Sequence, residues 1–166
     1  MRVQKMIAAK LLVAIVISFV FSSPARSQSH TYVNPVNERH TISIQRSPAL
    51  FISGDRATDA EFCSPSDRFV CVSSDDFNFA FPIGRTSDLK KWEYRGYVYE
   101  LQGRETLQAF GRSWRVWIVE SAHGVKTMRF AYSEQRGVLA FSVSLTDAAS
   151  TFLSVDTVGF GAQPRK

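Results

Sequence analysis

Residues 114–145 read WRVWIVESAHGVKTMRFAYSEQRGVLAFSVSL, and this stretch decides the fold class. It divides into three apolar segments, 114–121, 126–133 and 137–145, which are rich in β-branched and aromatic residues that alternate with polar ones. Such alternation is typical of half-buried β-strands. The connections AHGV and EQR are as short as those of β-hairpins. The stretch therefore predicts three strands of an antiparallel meander.

The same alternation continues toward the N terminus in five further segments. They are TISIQ from Thr41, ALFIS from Ala49, FVCVS from Phe69, FNFAF from Phe77 and KWEYRGYVYEL from Lys91. The last is predicted as one long strand with a bulge or bend at Gly96, because glycine in a strand often marks such a break.

Helical periodicity is almost absent from the chain. Only TDAASTFLS allows one short helix, near residues 146–153 with Asp147 as its cap, before a last strand around 152–160. About eight or nine short strands predict an all-β fold, built as a single antiparallel β-sandwich or a small β-barrel-like domain. An outer-membrane barrel has a similar strand count, but most of these strands are shorter than the roughly ten residues it needs.

Residues 1–27 have the three-part layout of a secretory signal peptide: basic residues, the apolar run LLVAIVISFVF, and the small-residue stretch SSPARS. The run is about half as long as the roughly 20 residues of a membrane-spanning helix. We therefore predict cleavage after Ser27, export to a bacterial periplasm or, second, to the medium, and no stable transmembrane segment thereafter. Residues 28–40 are predicted as an extended or flexible segment, 41–161 as a β-rich globular domain, and 162–166 as a polar tail.

Processing changes the charge of the chain. The full sequence has 20 Lys and Arg against 15 Asp and Glu, but four of the basic residues and none of the acids lie in 1–27. The predicted mature chain thus carries 16 basic against 15 acidic residues, and its charges are interspersed. Nucleic-acid binding depends on basic patches that neutralise phosphates, so no nucleic-acid partner is predicted.

The two cysteines, Cys63 and Cys71, lie eight positions apart in EFCSPSDRFVCVSS. In an oxidising compartment such a pair predicts a structural disulfide, and Pro65 and Asp67 favour the turn that it requires. A thioredoxin-like redox motif has a closer spacing, and a zinc site needs more Cys or His ligands at suitable spacing. No metal or cofactor is predicted.

The strongest candidate for a binding surface is GRSWRVW from Gly111, because it interleaves arginine with tryptophan. Alternation places Arg115 and Trp117 on one face of the strand, opposite Trp114. Arg95, Tyr97 and Tyr99 would extend this surface if their strand is a neighbour. The alternative interpretation is an ordinary cation–π pair on the outside of the sheet.

No residue spacing matches a catalytic motif, and no catalytic residue is predicted. His123 beside Gly124 is interpreted as a hairpin-tip residue, and the acids between Asp55 and Asp76 do not have calcium-loop spacing. The leading hypothesis is an exported, non-enzymatic β-domain, of inhibitor, immunity or accessory type, that binds a protein, peptide or saccharide in the cell envelope. The alternative is a small secreted hydrolase whose carboxylates and histidine converge only in the folded chain.

Overall fold

The protein is described by a computed structural model that covers residues 28–64, 67–84, 89–146 and 148–163. The predicted signal peptide, residues 164–166 of the predicted tail and the proposed cap Asp147 lie outside the described residues. Thirteen strands and no helix are formed by the described residues. The strands are β1 Ser29–Val33, β2 Thr41–Arg46, β3 Ala49–Ser53, β4 Arg56–Asp59, β5 Glu61–Phe62, β6 Phe69–Ser73, β7 Asn78–Pro82, β8 Lys91–Tyr94, β9 Tyr97–Ala109, β10 Arg112–His123, β11 Lys126–Ser133, β12 Gly137–Leu145 and β13 Ala148–Ser154.

Ten of these strands form one antiparallel sheet in the order β4-β3-β2-β1-β13-β12-β11-β10-β9-β8. The meander predicted from 114–145 is confirmed as β10, β11 and β12, which pair in sequence order. β1 lies between β2 and β13, so it joins the meander β1–β4 to the meander β8–β13. The other three strands form a second sheet in the order β5-β6-β7. This two-sheet architecture confirms the predicted all-β class.

The core lies between the two sheets and is dominated by aromatic rings. Phe79 and Phe81 of β7, and Phe77 directly before it, are at most 1 % exposed. Their rings contact rings from β3, β8, β11 and β12 of the large sheet. Phe77 also stacks on Phe51 with ring centroids 5.2 Å apart. Burying rings of this size gives the largest apolar contribution per residue, so the small sheet is firmly attached to one face of the large one.

A smaller apolar cluster lies on the other face of the large sheet. Its buried members are Val116, Ile118, Ala131, Leu139 and Ala140. Partly buried Leu107, Trp114 and Leu153 surround them. The strands that carry them, β10 to β12, are therefore apolar on both faces, unlike strands with one solvated face.

The prediction that KWEYRGYVYEL forms one long strand is wrong. The chain reverses at Arg95 and Gly96, whose φ angles are 51° and 77°, and Tyr94 pairs with Tyr97 across the resulting hairpin. Two consecutive positive φ angles are typical of the tight turns that match the twist of paired strands. Because of this reversal, each residue after Gly96 lies on the face of the sheet opposite to the one that a continuous strand would give it.

The short helix suggested near 146–153 is also wrong, because Ala148–Ser154 form β13. This strand pairs with both β12 and β1, and the ring of Phe152 stacks on Phe141 with centroids 5.1 Å apart. Sheet pairing on both edges outweighs the weak helical tendency of a segment rich in Ser and Thr. The last strand accordingly ends at Ser154 and does not extend to 160.

The segment 28–40, predicted as extended or flexible, contains β1 and a fully buried side chain. The hydroxyl of Tyr32 donates to the Val138 carbonyl at 3.0 Å and accepts the Phe160 backbone N–H at 2.9 Å. It thereby ties β1 to β12 and to the segment that follows β13. A Cβ at Gly159 would lie 1.8 Å from the Val138 carbonyl oxygen, so this backbone crossing requires glycine.

Three tyrosines are deeply buried: Tyr32, Tyr99 and Tyr132 are all 0 % exposed. Burial raises the pKa of each phenol above its ordinary value near 10, because an apolar environment disfavours the phenolate. We refer to them below as the three buried tyrosines.

The predicted disulfide between Cys63 and Cys71 is confirmed, with an S–S distance of 2.05 Å. It links the segment after β5 to β6, and the Tyr94 hydroxyl lies 3.0 Å from the sulfur of Cys71. The bridge therefore joins two parts of the small sheet and contacts the β8–β9 hairpin through Tyr94.

Candidate functional site

The candidate site begins with a hairpin that is longer than the strands beside it. β9 and β10 are joined at Phe110 and Gly111, whose φ angles are 56° and 67°. β10 pairs with β9 along its length from Arg112 to Ala122, but its pairing with β11 starts only at Trp117. Within the described parts of the chain, the backbone of 112–116 therefore pairs with β9 alone.

A cleft of about 510 Å³ lies beside this unpaired edge of β10. The turn between β11 and β12 forms its other wall. We call it the Arg–Trp cleft. Its lining residues are Arg104, Ser113, Trp114, Arg115, Val116, Trp117, Ser133, Glu134, Gln135 and Arg136. Its volume falls in the range of roughly 300 to 1,000 Å³ that ligand sites commonly have.

Trp117 and Arg104 form the inner part of the Arg–Trp cleft. They are direct cross-strand partners in the β9–β10 ladder, and the Arg104 Cζ lies 3.9 Å from the centroid of the Trp117 ring. Trp117 is half-buried and packs against the main core, which fixes the ring on which the guanidinium rests. A cation over an indole at this distance is favourable by about 0.5 to 1 kcal/mol at an exposed site.

Trp114 and Arg136 form the outer part. Because side chains alternate along a strand, Trp114 lies on the face of β10 opposite Trp117. Its indole N–H donates to the Ala109 carbonyl at 3.0 Å, and the Arg136 Cζ lies 5.1 Å from its ring centroid. The hairpin tip and the β11–β12 turn thus hold this second cation–aromatic pair from opposite sides.

The electrostatic character of the cleft is basic. Arg104, Arg115 and Arg136 face one carboxylate, that of Glu134. Among the described residues, none of the three arginines takes part in an ion pair. Guanidinium groups present planar sets of donors that suit carboxylate and phosphate, so the arrangement favours an anionic ligand.

The structure separates the five residues predicted as one binding surface. Arg115 and Trp117 line the Arg–Trp cleft. Arg95 and Tyr97 instead line a different cleft of about 490 Å³, which also contains Asp59, Glu61 and Asp75. Arg95 is paired there with Glu61, which raises the pKa of its guanidinium.

The proposed continuation of the surface through Tyr99 is wrong. Tyr99 is fully buried and stacks on its cross-strand partner Trp92, with centroids 5.7 Å apart and planes at 4°. The hairpin at Arg95 and Gly96 is the physical reason, because it places Tyr99 beside Trp92 on the core face. Its hydroxyl forms no hydrogen bond of good geometry with a described residue, although the neighbouring Ser121 hydroxyl interacts with it and partly offsets the rise in its pKa that burial causes.

The two arginines that lie over the tryptophan rings of the cleft, Arg104 and Arg136, were not predicted from the sequence. Arg104 would have been found from the β9–β10 register, because a two-residue turn at Phe110 and Gly111 places it opposite Trp117. The turn pair Phe-Gly lacks the Asn or Asp that usually signals such a turn. Arg136 approaches Trp114 only through the packing of the β11–β12 turn, for which the sequence holds no signal.

A further cleft of about 390 Å³ lies at the end of the sandwich formed by β2, β3, β12 and β13. Its floor is made of Ile42, Phe51, Phe77 and Phe152, which are at most 5 % exposed and already packed together. His123, the histidine of the hydrolase hypothesis, stacks on Tyr97 with centroids 4.5 Å apart. The described residues bring together no group of three or more His, Cys, Asp or Glu suited to a metal ion.

The chain matches no protein-family model, no curated protein and no solved structure. Among the described residues, no helix has the length and apolar character required to span a membrane.

Proposed function

We propose that the protein is an exported, non-enzymatic binding domain that holds a protein, peptide or saccharide partner in the Arg–Trp cleft. The observation that carries this proposal is that one cleft is lined by Arg104, Arg115 and Arg136 together with two tryptophans. Arg104 and Arg136 each lie over one of the tryptophan rings, and none of the three arginines forms an ion pair with another described residue. Arginine and tryptophan are the residue types that most often dominate the energetics of interfaces. The partner carries carboxylate, phosphate or sulfate groups that complement the basic charge.

Export to a bacterial periplasm, with release into the medium as the second choice, is part of the same proposal. A disulfide-bonded all-β chain is compatible with an oxidising compartment. The test is the intact mass and N-terminal sequence of the protein recovered from the periplasm of a bacterium that expresses the full chain. We expect a chain that begins at Gln28, and recovery of the uncleaved chain in the membrane fraction would contradict the proposal.

The binding function is tested by quantitative pull-down from envelope extract with the exported protein. We expect Arg104→Ala and Arg115→Ala each to capture less of the partner that the wild-type protein captures, because each removes a cation from the cleft. Arg39→Ala is the matched control, since Arg39 is an exposed arginine in the turn before β2. Equal capture by the wild type, the two cleft variants and the control would refute a role for the cleft.

The indole N–H signals of the three tryptophans provide an internal control for direct binding. Trp114 and Trp117 line the cleft, whereas the Trp92 N–H is buried and donates to the Ala80 carbonyl at 3.0 Å. In a ¹⁵N–¹H spectrum, a ligand in the cleft is expected to shift the first two signals and leave that of Trp92 in place. A shift confined to Trp92 would place the ligand elsewhere.

A further inference from the structure

The unpaired edge of β10 is the feature that distinguishes the Arg–Trp cleft from an ordinary basic surface. In an antiparallel ladder, the N–H and C=O of alternate residues point to the same neighbouring strand. Along 112–116, the groups that point away from β9 have no backbone partner among the described residues. They face the space that β11 would occupy if it continued beyond Ser133.

The side chains around this edge also fit an extended chain. Trp114 and Trp117 lie on opposite faces of β10, and each is accompanied by an arginine from a neighbouring element. A strand added to the edge would likewise direct its side chains alternately to the two faces. The Trp117 face would therefore offer one aromatic ring and the guanidinium groups of Arg104 and Arg115 to that strand. The Trp114 face would offer one ring and the guanidinium group of Arg136.

We propose that the Arg–Trp cleft binds an acidic, extended peptide segment of a partner protein by adding it as a strand to the edge of β10 at 112–116. This inference rests on the proposed function and names the class of partner. Backbone hydrogen bonds to the edge supply affinity, and the alternating arginines select for carboxylates. Because the edge is basic, it repels a second basic strand and so avoids indiscriminate pairing.

The same geometry is less suited to a saccharide. Sugar rings stack on open aromatic faces, and the Arg104 guanidinium already covers a face of Trp117 at 3.9 Å. A saccharide also leaves unpaired the N–H and C=O groups of the β10 edge, which an extended peptide satisfies. Charge and backbone geometry together therefore favour the peptide.

The experiment uses an array of ten-residue peptides, which is probed with the exported protein. Acidic and β-branched residues alternate in the first set of peptides, and glutamine replaces glutamate in the second set. The tightest peptide is then measured by fluorescence anisotropy. We expect binding to weaken at least about tenfold for the glutamine version and for Arg115→Glu, since each removes charge-assisted hydrogen bonds. The control is Arg39→Glu. It is expected to change the affinity less than about twofold, because Arg39 is an exposed residue outside the Arg–Trp cleft.

N-methylation of the peptide tests the strand addition directly. Methyl groups on one alternate set of amides should weaken binding about tenfold or more, whereas methyl groups on the other set should leave it nearly unchanged, because only one peptide edge pairs with β10. Hydrogen exchange of the amides in 112–116 that point away from β9 should slow when the peptide binds.

The outcomes separate the two proposals. If both methylated sets bind as tightly as the parent peptide, strand addition is wrong, although the cleft still binds anionic peptides. If no acidic peptide binds but polyuronate oligosaccharides shift the Trp114 and Trp117 signals, the peptide inference is overturned and the binding function survives. If capture of the envelope partner is insensitive to Arg104→Ala and Arg115→Ala, both proposals fail.

Discussion

Replacing Tyr32 by phenylalanine is expected to lower the free energy of unfolding by about 3 kcal/mol. The ring stays in place, but the hydroxyl that joins Val138 and Phe160 is lost. Losing the bond to the Val138 carbonyl costs about 1 kcal/mol, and leaving the buried Phe160 N–H without a partner costs about 1 to 3 kcal/mol more. A domain of this size has a total stability of only about 5 to 15 kcal/mol, so the change is large.

The assay is urea unfolding followed by far-ultraviolet circular dichroism. With a denaturant slope of about 2 kcal/mol per molar, the midpoint should fall by about 1.5 M. Tyr99→Phe is the matched control, because Tyr99 is equally buried but its hydroxyl joins no backbone groups among the described residues. It should change the stability by less than about 1 kcal/mol, or increase it. A midpoint for Tyr32→Phe equal to that of Tyr99→Phe would refute the bridging role of the hydroxyl.

Three further predictions concern stability. Stability should begin to fall at about pH 9 and fall more steeply above about pH 10, by at most about 4 kcal/mol per pH unit, because the unfolded chain ionises its tyrosines while the three buried tyrosines, whose pKa values are raised, stay protonated in the folded chain. Unfolding curves from about pH 8 to 11 check this, and a flat profile would contradict it. Gly159→Ala should destabilise the fold by at least about 2 kcal/mol in the same urea assay, since its Cβ would meet the Val138 carbonyl, whereas a wild-type midpoint would show that the backbone crossing can open. Replacing Cys63 and Cys71 together by serine should cost about 2.5 kcal/mol from the entropy of a loop of this length, and an unchanged melting temperature in calorimetry would count against the bridge as a stabilising element.

The strands that the sequence located best are those whose neighbours in the chain are also their neighbours in the sheet. β10, β11 and β12 follow one another through short turns, so their alternation and spacing were enough to predict their pairing. The disulfide was equally local, because Cys63 and Cys71 are separated by only eight positions. In each case the decisive interactions span few residues.

The errors arose where local signals were weak or where distant residues decide the structure. The sequence predicts only a bulge or bend at Gly96 where the structure has a hairpin, because a positive φ at arginine is uncommon and leaves little trace in the sequence. Residues 148–154 look weakly helical on their own, but β1 and β12 enclose them as a strand. The pattern of the chain therefore identified the fold class but not the position of every strand.

The sequence by itself determined the all-β class, the disulfide, and Arg115 and Trp117 as candidates for binding, because alternation and spacing act over a few residues. Only the tertiary structure decided what surrounds those two side chains. It brought Arg104 over Trp117 through the register of a long hairpin and Arg136 over Trp114 through the packing of a separate turn. It also buried Tyr99 in the core. Contacts between residues far apart in the chain depend on strand order and register, and short-range patterns do not encode either one.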